Sequence, residues 1–86
     1  MNWELLLAGP ARKALERMPT SNRCRVLAAL NAMEHDPFSG DVVRFTAQPV
    51  AWRRRGGDWR ILFDVELEER RVLVHDVLRR TSTTYY

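Results

Sequence analysis

The sequence predicts an α+β fold of order β-α-α-β-β-β, an antiparallel sheet covered on one face by an N-terminal helix hairpin. Helical spacing over residues 11–33 is the first sign of it. A switch to two-residue alternation after residue 42 is the second. The third is length: eighty-six residues make one domain, 1–86, with a core of modest size.

Trp3-Glu4-Leu5-Leu6-Leu7-Ala8 reads as a short first strand, closed by Gly9-Pro10. Pro10 suits the first turn of a helix, where its missing N–H costs nothing. Ala11, Ala14, Leu15 and Met18 recur at helical spacing, and Pro19 ends that helix. Thr20 or Ser21 can cap a second helix with Val26, Leu27, Leu30 and Met33 as its apolar stripe. It stops near His35-Asp36-Pro37, and residues 37–41 are turn material. Val42 to Phe45 and Val50 to Arg55 are extended segments. Trp59, Ile61, Phe63, Val65 and Leu67 alternate with Arg60, Asp64 and Glu66, which describes a strand with one buried face. Arg71 to Leu78 is apolar on both faces, as expected of a central strand.

Composition bounds the function. The apolar fraction is 45% and the charged fraction 29%, as in soluble globular proteins. Net charge is +3, which favours an anionic partner. No apolar run approaches the roughly 18 residues of a membrane span, and no signal-peptide core is evident. Cys24 is the lone cysteine, so no intrachain disulfide forms and a reducing cytoplasm is the expected compartment. Its place in a helix predicts a buried thiol.

The distribution of charge says more than its total. Lys13 is the single lysine among 14 cationic residues. Four arginines crowd Trp52-Arg53-Arg54-Arg55-Gly56-Gly57-Asp58-Trp59-Arg60-Ile61, and Arg79-Arg80 follow after one predicted strand. A guanidinium stays protonated and presents a planar fork of donors, which suits phosphate. A solvated hairpin tip would account for one such cluster. Two clusters separated by a single strand favour a site. Alternation places Arg53, Arg55 and Arg60 on the open sheet face, opposite Trp52 and Trp59 in the core. Arg54 then points toward the helices unless a bulge or an edge position relieves it.

The pattern Trp52-Arg53-x-Arg55-x-Gly57-Asp58-Trp59-Arg60-Ile61, with Val77-x-Arg79-Arg80-x5-Tyr86, resembles the RelE/ParE superfamily of bacterial toxins from type II toxin–antitoxin systems. The element order matches that architecture over nearly the whole chain. The resemblance implies a cognate antitoxin as partner, and either a homodimer or a toxin–antitoxin hetero-oligomer. In the RelE-like branch, members are mRNA interferases. They cut mRNA on the ribosome without a metal or other cofactor, the ribose 2′-OH attacking the adjacent phosphate. Position by position, Arg53, Arg60, Arg80 and Tyr86 match that branch's catalytic set. Arg54, Arg55 and Arg79 join Arg53, Arg60 and Arg80 as nucleic-acid-binding residues. A lysine common two positions before Arg53 is Ala51 here, and the usual apolar residues at 54 and 56 are Arg54 and Gly56. The alternative is a ParE-type DNA gyrase inhibitor without nuclease activity. Arg80 and Tyr86 together favour the nuclease.

Other chemistry is thin. His35 and His75 do not form a ligand motif with Cys24, so no metal site is expected. His75 beside Asp76 reads as structural, although an imidazole near the cleft could move protons. A Ser82-His75-Asp76 triad fails because neighbouring strand residues diverge. Tyr86 is then the expected proton acceptor, since surrounding guanidinium groups would favour its phenolate.

Overall fold

The computed structural model describes residues 2–44, 52–56 and 58–79. Strand β1 (Glu4–Leu7) leads to helices α1 (Gly9–Arg17) and α2 (Thr20–His35), then to β2 (Asp41–Arg44), β3 (Trp52–Gly56), β4 (Trp59–Glu66) and β5 (Arg71–Arg79). The strands form one sheet in the order β1-β5-β4-β3-β2. Three neighbouring pairs are antiparallel, as the hairpin-like spacing predicts. The fourth differs: β1 runs parallel to β5, Glu4 opposite Arg71 and Leu7 opposite Val74. A parallel pair needs a long crossover, and the helix hairpin is the part of the chain that turns it back over one face. The sheet is therefore mixed, and β5 lies inside it, between β1 and β4.

The core lies between that face and the helices. Ala11, Leu15 and Met18 of the α1 segment meet Val26, Leu30 and Met33 of α2 and Ile61, Phe63, Val72, Val74 and Val77 of the sheet. Phe63, Val72 and Val74 are fully buried. Trp52 and Trp59 pack on this cluster from its margin. Leu27 and Leu67 depart from expectation. Leu27 is one residue, or about 100°, around the helix from Val26 and is exposed. Leu67 has left β4 for the turn and is 68% exposed. Cys24 is likewise exposed, two residues from Val26 and so on the far side of α2.

The helix junction is also built differently from the sequence expectation. Neither Thr20 nor Ser21 caps α2, whose N-cap is Pro19 without a side-chain bond. Arg23 ties the junction instead. Its Nε donates to the Leu15 carbonyl at 2.9 Å, and one Nη donates to the carbonyls of Glu16 and Met18 at 3.2 and 3.1 Å. A cation bonded to the last carbonyls of α1 satisfies groups that the helix itself leaves open.

Candidate nucleic-acid interface

Strand pairing sorts the arginines onto two faces. On the face away from the helices, one row across the sheet reads Asp41–Arg55–Arg60–Leu78 and the next Val43–Arg53–Leu62, with Asp76 opposite Leu62 where the β4–β5 register is irregular. Arg53 and Arg60 are thus diagonal neighbours on adjacent strands, within mutual reach of long side chains. Alternation alone brings these two together, since Ile61 and Phe63 are claimed by the core.

Their surroundings differ. Arg55 is bound to Asp41, with Nε and Nη2 at 2.9 and 2.8 Å from one carboxylate oxygen. Arg60 is half-buried and carries no ion pair or side-chain hydrogen bond to any described residue; its Nε is shut off from solvent without a partner there. A cation in that state retains its full donor capacity for an anion placed over the sheet.

Arg54 is on the helix-covered side, opposite Ile61. The expected relief did not arise: β3 is flanked by β2 and β4, and its register with β4 is unbroken. The turn before β2 accommodates it instead. Ser39 Oγ donates to the Asp36 carbonyl at 2.8 Å and accepts from Arg54 Nη1 at 3.2 Å. Gly40, at φ +80°, has no Cβ; one would stand 2.9 Å from Arg54 Nη2. Asp36 fixes this turn by accepting the Phe38 N–H at 3.0 Å, and Phe38 meets the Trp52 ring edge-on, centroids 4.9 Å apart. Arg54 is thus structural in placement. Arg79 pairs with Trp59 and belongs to that same side, away from Arg60. Arg80 and Tyr86 lie outside the described residues, as does Ala51.

The bulge that Arg54 did not need occurs elsewhere. Register between β4 and β5 shifts at Leu62/Phe63, so Leu62 faces Asp76 while Phe63 faces Val74. His75 is the extra residue, and its Nε2 lies 2.7 Å from Asp64 Oδ2. Asp64 alternates with buried Phe63 and so places this pair on the same open face as Arg53 and Arg60. Asp76 diverges: its Oδ1 accepts the Val77 N–H at 2.8 Å, and it borders a cleft with Gly9, Pro10, Lys13 and Arg17. The His75–Asp64 pair was not legible in the sequence, because the bulge that creates it leaves no residue signature.

At the other end of the sheet the charges are matched. Arg71 Nε donates to Glu4 Oε1 at 2.9 Å, and its other nitrogens approach Glu66 at 3.8 Å and Glu69 at 3.7 Å. The Glu4 hydrogen bond, helped by the charge of all three carboxylates, holds the Arg71 guanidinium above its ordinary pKa. Nearby, Arg70 adopts φ 51° in the β4–β5 turn and lays its guanidinium 4.6 Å over the Trp3 ring.

On the helix side, a cavity of about 200 Å³ opens between α2 and β3–β4, lined by Arg25, Val26, Ala29, Arg54, Gly56, Trp59 and Ile61. Among the described residues no group of three or more His, Cys, Asp or Glu side chains could hold a metal ion. No described helix is long and apolar enough to cross a membrane.

No protein-family model matches the chain, and no curated protein matches it significantly in sequence. Solved structures do. A chain of the archaeal RelE–RelB complex from Pyrococcus horikoshii superposes with a TM-score of 0.80 at 20% identity, covering 96% of this chain and 100% of that one. The toxin–antitoxin complex RelBE2 from Mycobacterium tuberculosis gives 0.80 at 19% identity, over 93% and 100%. The isolated E. coli RelE toxin gives 0.77 at 15% identity, over 94% and 87%. The fold of this chain is the RelE fold.

Proposed function

We propose that the chain is the toxin of a type II toxin–antitoxin pair and an endoribonuclease that cuts ribosome-bound mRNA. The observation that carries this reading is the open sheet face, where Arg53 and Arg60 stand as diagonal neighbours and Arg60 has no described acidic partner. A core does not require such an arrangement, whereas a phosphodiester in the transition state does. As the ribose 2′-OH attacks, negative charge grows on the phosphoryl oxygens, and preorganised guanidinium donors stabilise that charge more than the ground state. Arg80 joins them in this reading, and Tyr86 accepts the 2′-OH proton. Arg55, already paired with Asp41, serves the path of the strand rather than the reacting phosphate, while Arg54 and Arg79 lie on the other side of the sheet.

The partner is a cognate antitoxin, as the RelE–RelB and RelBE2 complexes suggest by analogy. An acidic or amphipathic segment suits the apolar cavity rimmed by Arg25 and Arg54. The direct test incubates the purified chain with ribosomes carrying mRNA in the A site, beside a DNA gyrase supercoiling assay. Cleavage of the mRNA with gyrase unaffected is the expected result. Arrested gyrase with intact mRNA would transfer the assignment to the ParE type.

A further inference from the structure

The proposed reaction moves two protons, one from the attacking 2′-OH and one to the departing 5′-oxygen. Arginine is a poor proton donor because its pKa lies far above neutrality. The family's lysine two positions before Arg53 is Ala51 here, and the single lysine, Lys13, is on α1, the far side of the sheet. With Tyr86 taking the first proton, the second step has no donor. The open face supplies one.

Resting on the nuclease reading, we infer that His75, oriented by Asp64, is the general acid that protonates the 5′-oxygen leaving group. The β-bulge puts His75 on the Arg53–Arg60 face. Its Nε2 is engaged by Asp64 Oδ2 at 2.7 Å, which fixes the ring and leaves Nδ1 for substrate. Both side chains are about one-third exposed, so a nucleotide strand can reach them. Arg53 on β3 and the bulge on β5 flank β4 across two strand spacings, about 10 Å. Arg53 and the bulge thus stand on either side of Leu62, at a separation that a phosphodiester together with long side chains can bridge.

The step balances. The 2′-oxygen bonds to phosphorus and gives its proton to the Tyr86 phenolate. The P–O5′ bond breaks, its electron pair goes to O5′, and that oxygen takes the proton from Nδ1 of the His75 imidazolium. The products are a 2′,3′-cyclic phosphate and a 5′-hydroxyl end, and His75 regains its proton from water. Charged residues on the strands beside His75 are Asp64 and Arg60 on β4, Arg53 on β3 and Asp76 on its own strand, while Glu4 and Arg71 pair farther along the sheet. The Asp76 carboxylate accepts the Val77 N–H, and Asp64 is the carboxylate bonded directly to the ring.

The test is single-turnover cleavage of ribosome-bound mRNA by wild type, His75→Gln, His75→Ala and Asp64→Asn, from mildly acidic to mildly alkaline pH. Loss of a general acid typically costs about 10²-fold or more, and His75→Gln should show that loss. Because the reaction needs the Tyr86 phenolate and a protonated His75 together, wild-type cleavage should level off toward alkaline pH, where His75→Gln should continue to rise. Added imidazole should partly restore His75→Ala, which a purely structural histidine would not allow. Asp64→Asn should weaken cleavage less while altering the pH profile. Circular dichroism and melting temperature verify that each variant is folded. If wild type cleaves and folded His75→Gln matches it at every pH, the inference is wrong while the nuclease reading stands. If wild type does not cleave at all, both fall together.

Discussion

Arg60 and Arg71 stand on the same face of the same sheet, and the chain treats them in opposite ways. Arg71 meets three carboxylates supplied by β1, β4 and the β4–β5 turn. Arg60 meets none among the described residues, and its Nε is buried. Burying part of a cation without a counter-ion costs stability, so such a site persists where something other than folding requires it. A third arginine, Arg54, shows the structural alternative: neutral partners, Ser39 and the space left by Gly40, seat it on the covered side. The number of arginines in a cluster therefore says little, and the groups opposite each one say what it is for.

Substituting Arg60 should expose this contrast most strongly. Arg60→Ala should reduce mRNA cleavage by roughly 10²-fold or more, as removal of one preorganised donor does, with the melting temperature unchanged or raised. Arg80→Ala should behave alike in the same assay. Full toxicity of both variants at equal expression would remove these residues from the centre.

Tyr86→Phe keeps the ring and removes the ionisable oxygen, so it should lose most cleavage while leaving stability and antitoxin binding intact. Tyr85→Phe should do little. Equal rates for the two variants would limit Tyr86 to stacking on a base.

Gly40→Ala tests the Arg54 arrangement. The positive φ and the clash with the guanidinium together should cost about 1–3 kcal/mol in denaturant unfolding, without a direct effect on cleavage. A neutral substitution would mean that the turn relaxes away from Arg54.

Arg71→Ala should have the smallest effect, since its pairs are exposed and screened by salt. Its pH signature follows from the raised pKa. The stabilisation is complete below the guanidinium's unfolded-state pKa and is lost only as pH rises through the still higher folded value, so no loss from this group should appear near neutrality. A cleavage defect in Arg71→Ala comparable to that of Arg60→Ala would erase the distinction between the two ends of the face.

Much of this was legible in residue order. Period and punctuation give the two helices, the β4 face through Ile61 and Phe63, and the interior position of β5, because burial of a repeating apolar face leaves a repeating mark. The same alternation assigns Arg53 and Arg60 to one face and Arg54 to the other. Thr20 and Ser21 misled, because a side chain can cap a helix start only if the approach of the chain allows it, and Arg23 tied the junction from within α2.

The sequence by itself determined most of the core, though not the exposure of Leu27, Leu67 and Cys24, and it determined which of Arg53, Arg54, Arg55 and Arg60 share a face, since these follow from local spacing and side-chain polarity. Only the tertiary structure decided that β1 runs parallel to β5, that a bulge brings His75 to Asp64, and that Arg71 is matched while Arg60 is not. Those outcomes depend on strand register and on residues as far apart as Glu4 and Arg71. Register is fixed by the whole packed sheet, so no local window of the sequence contains it.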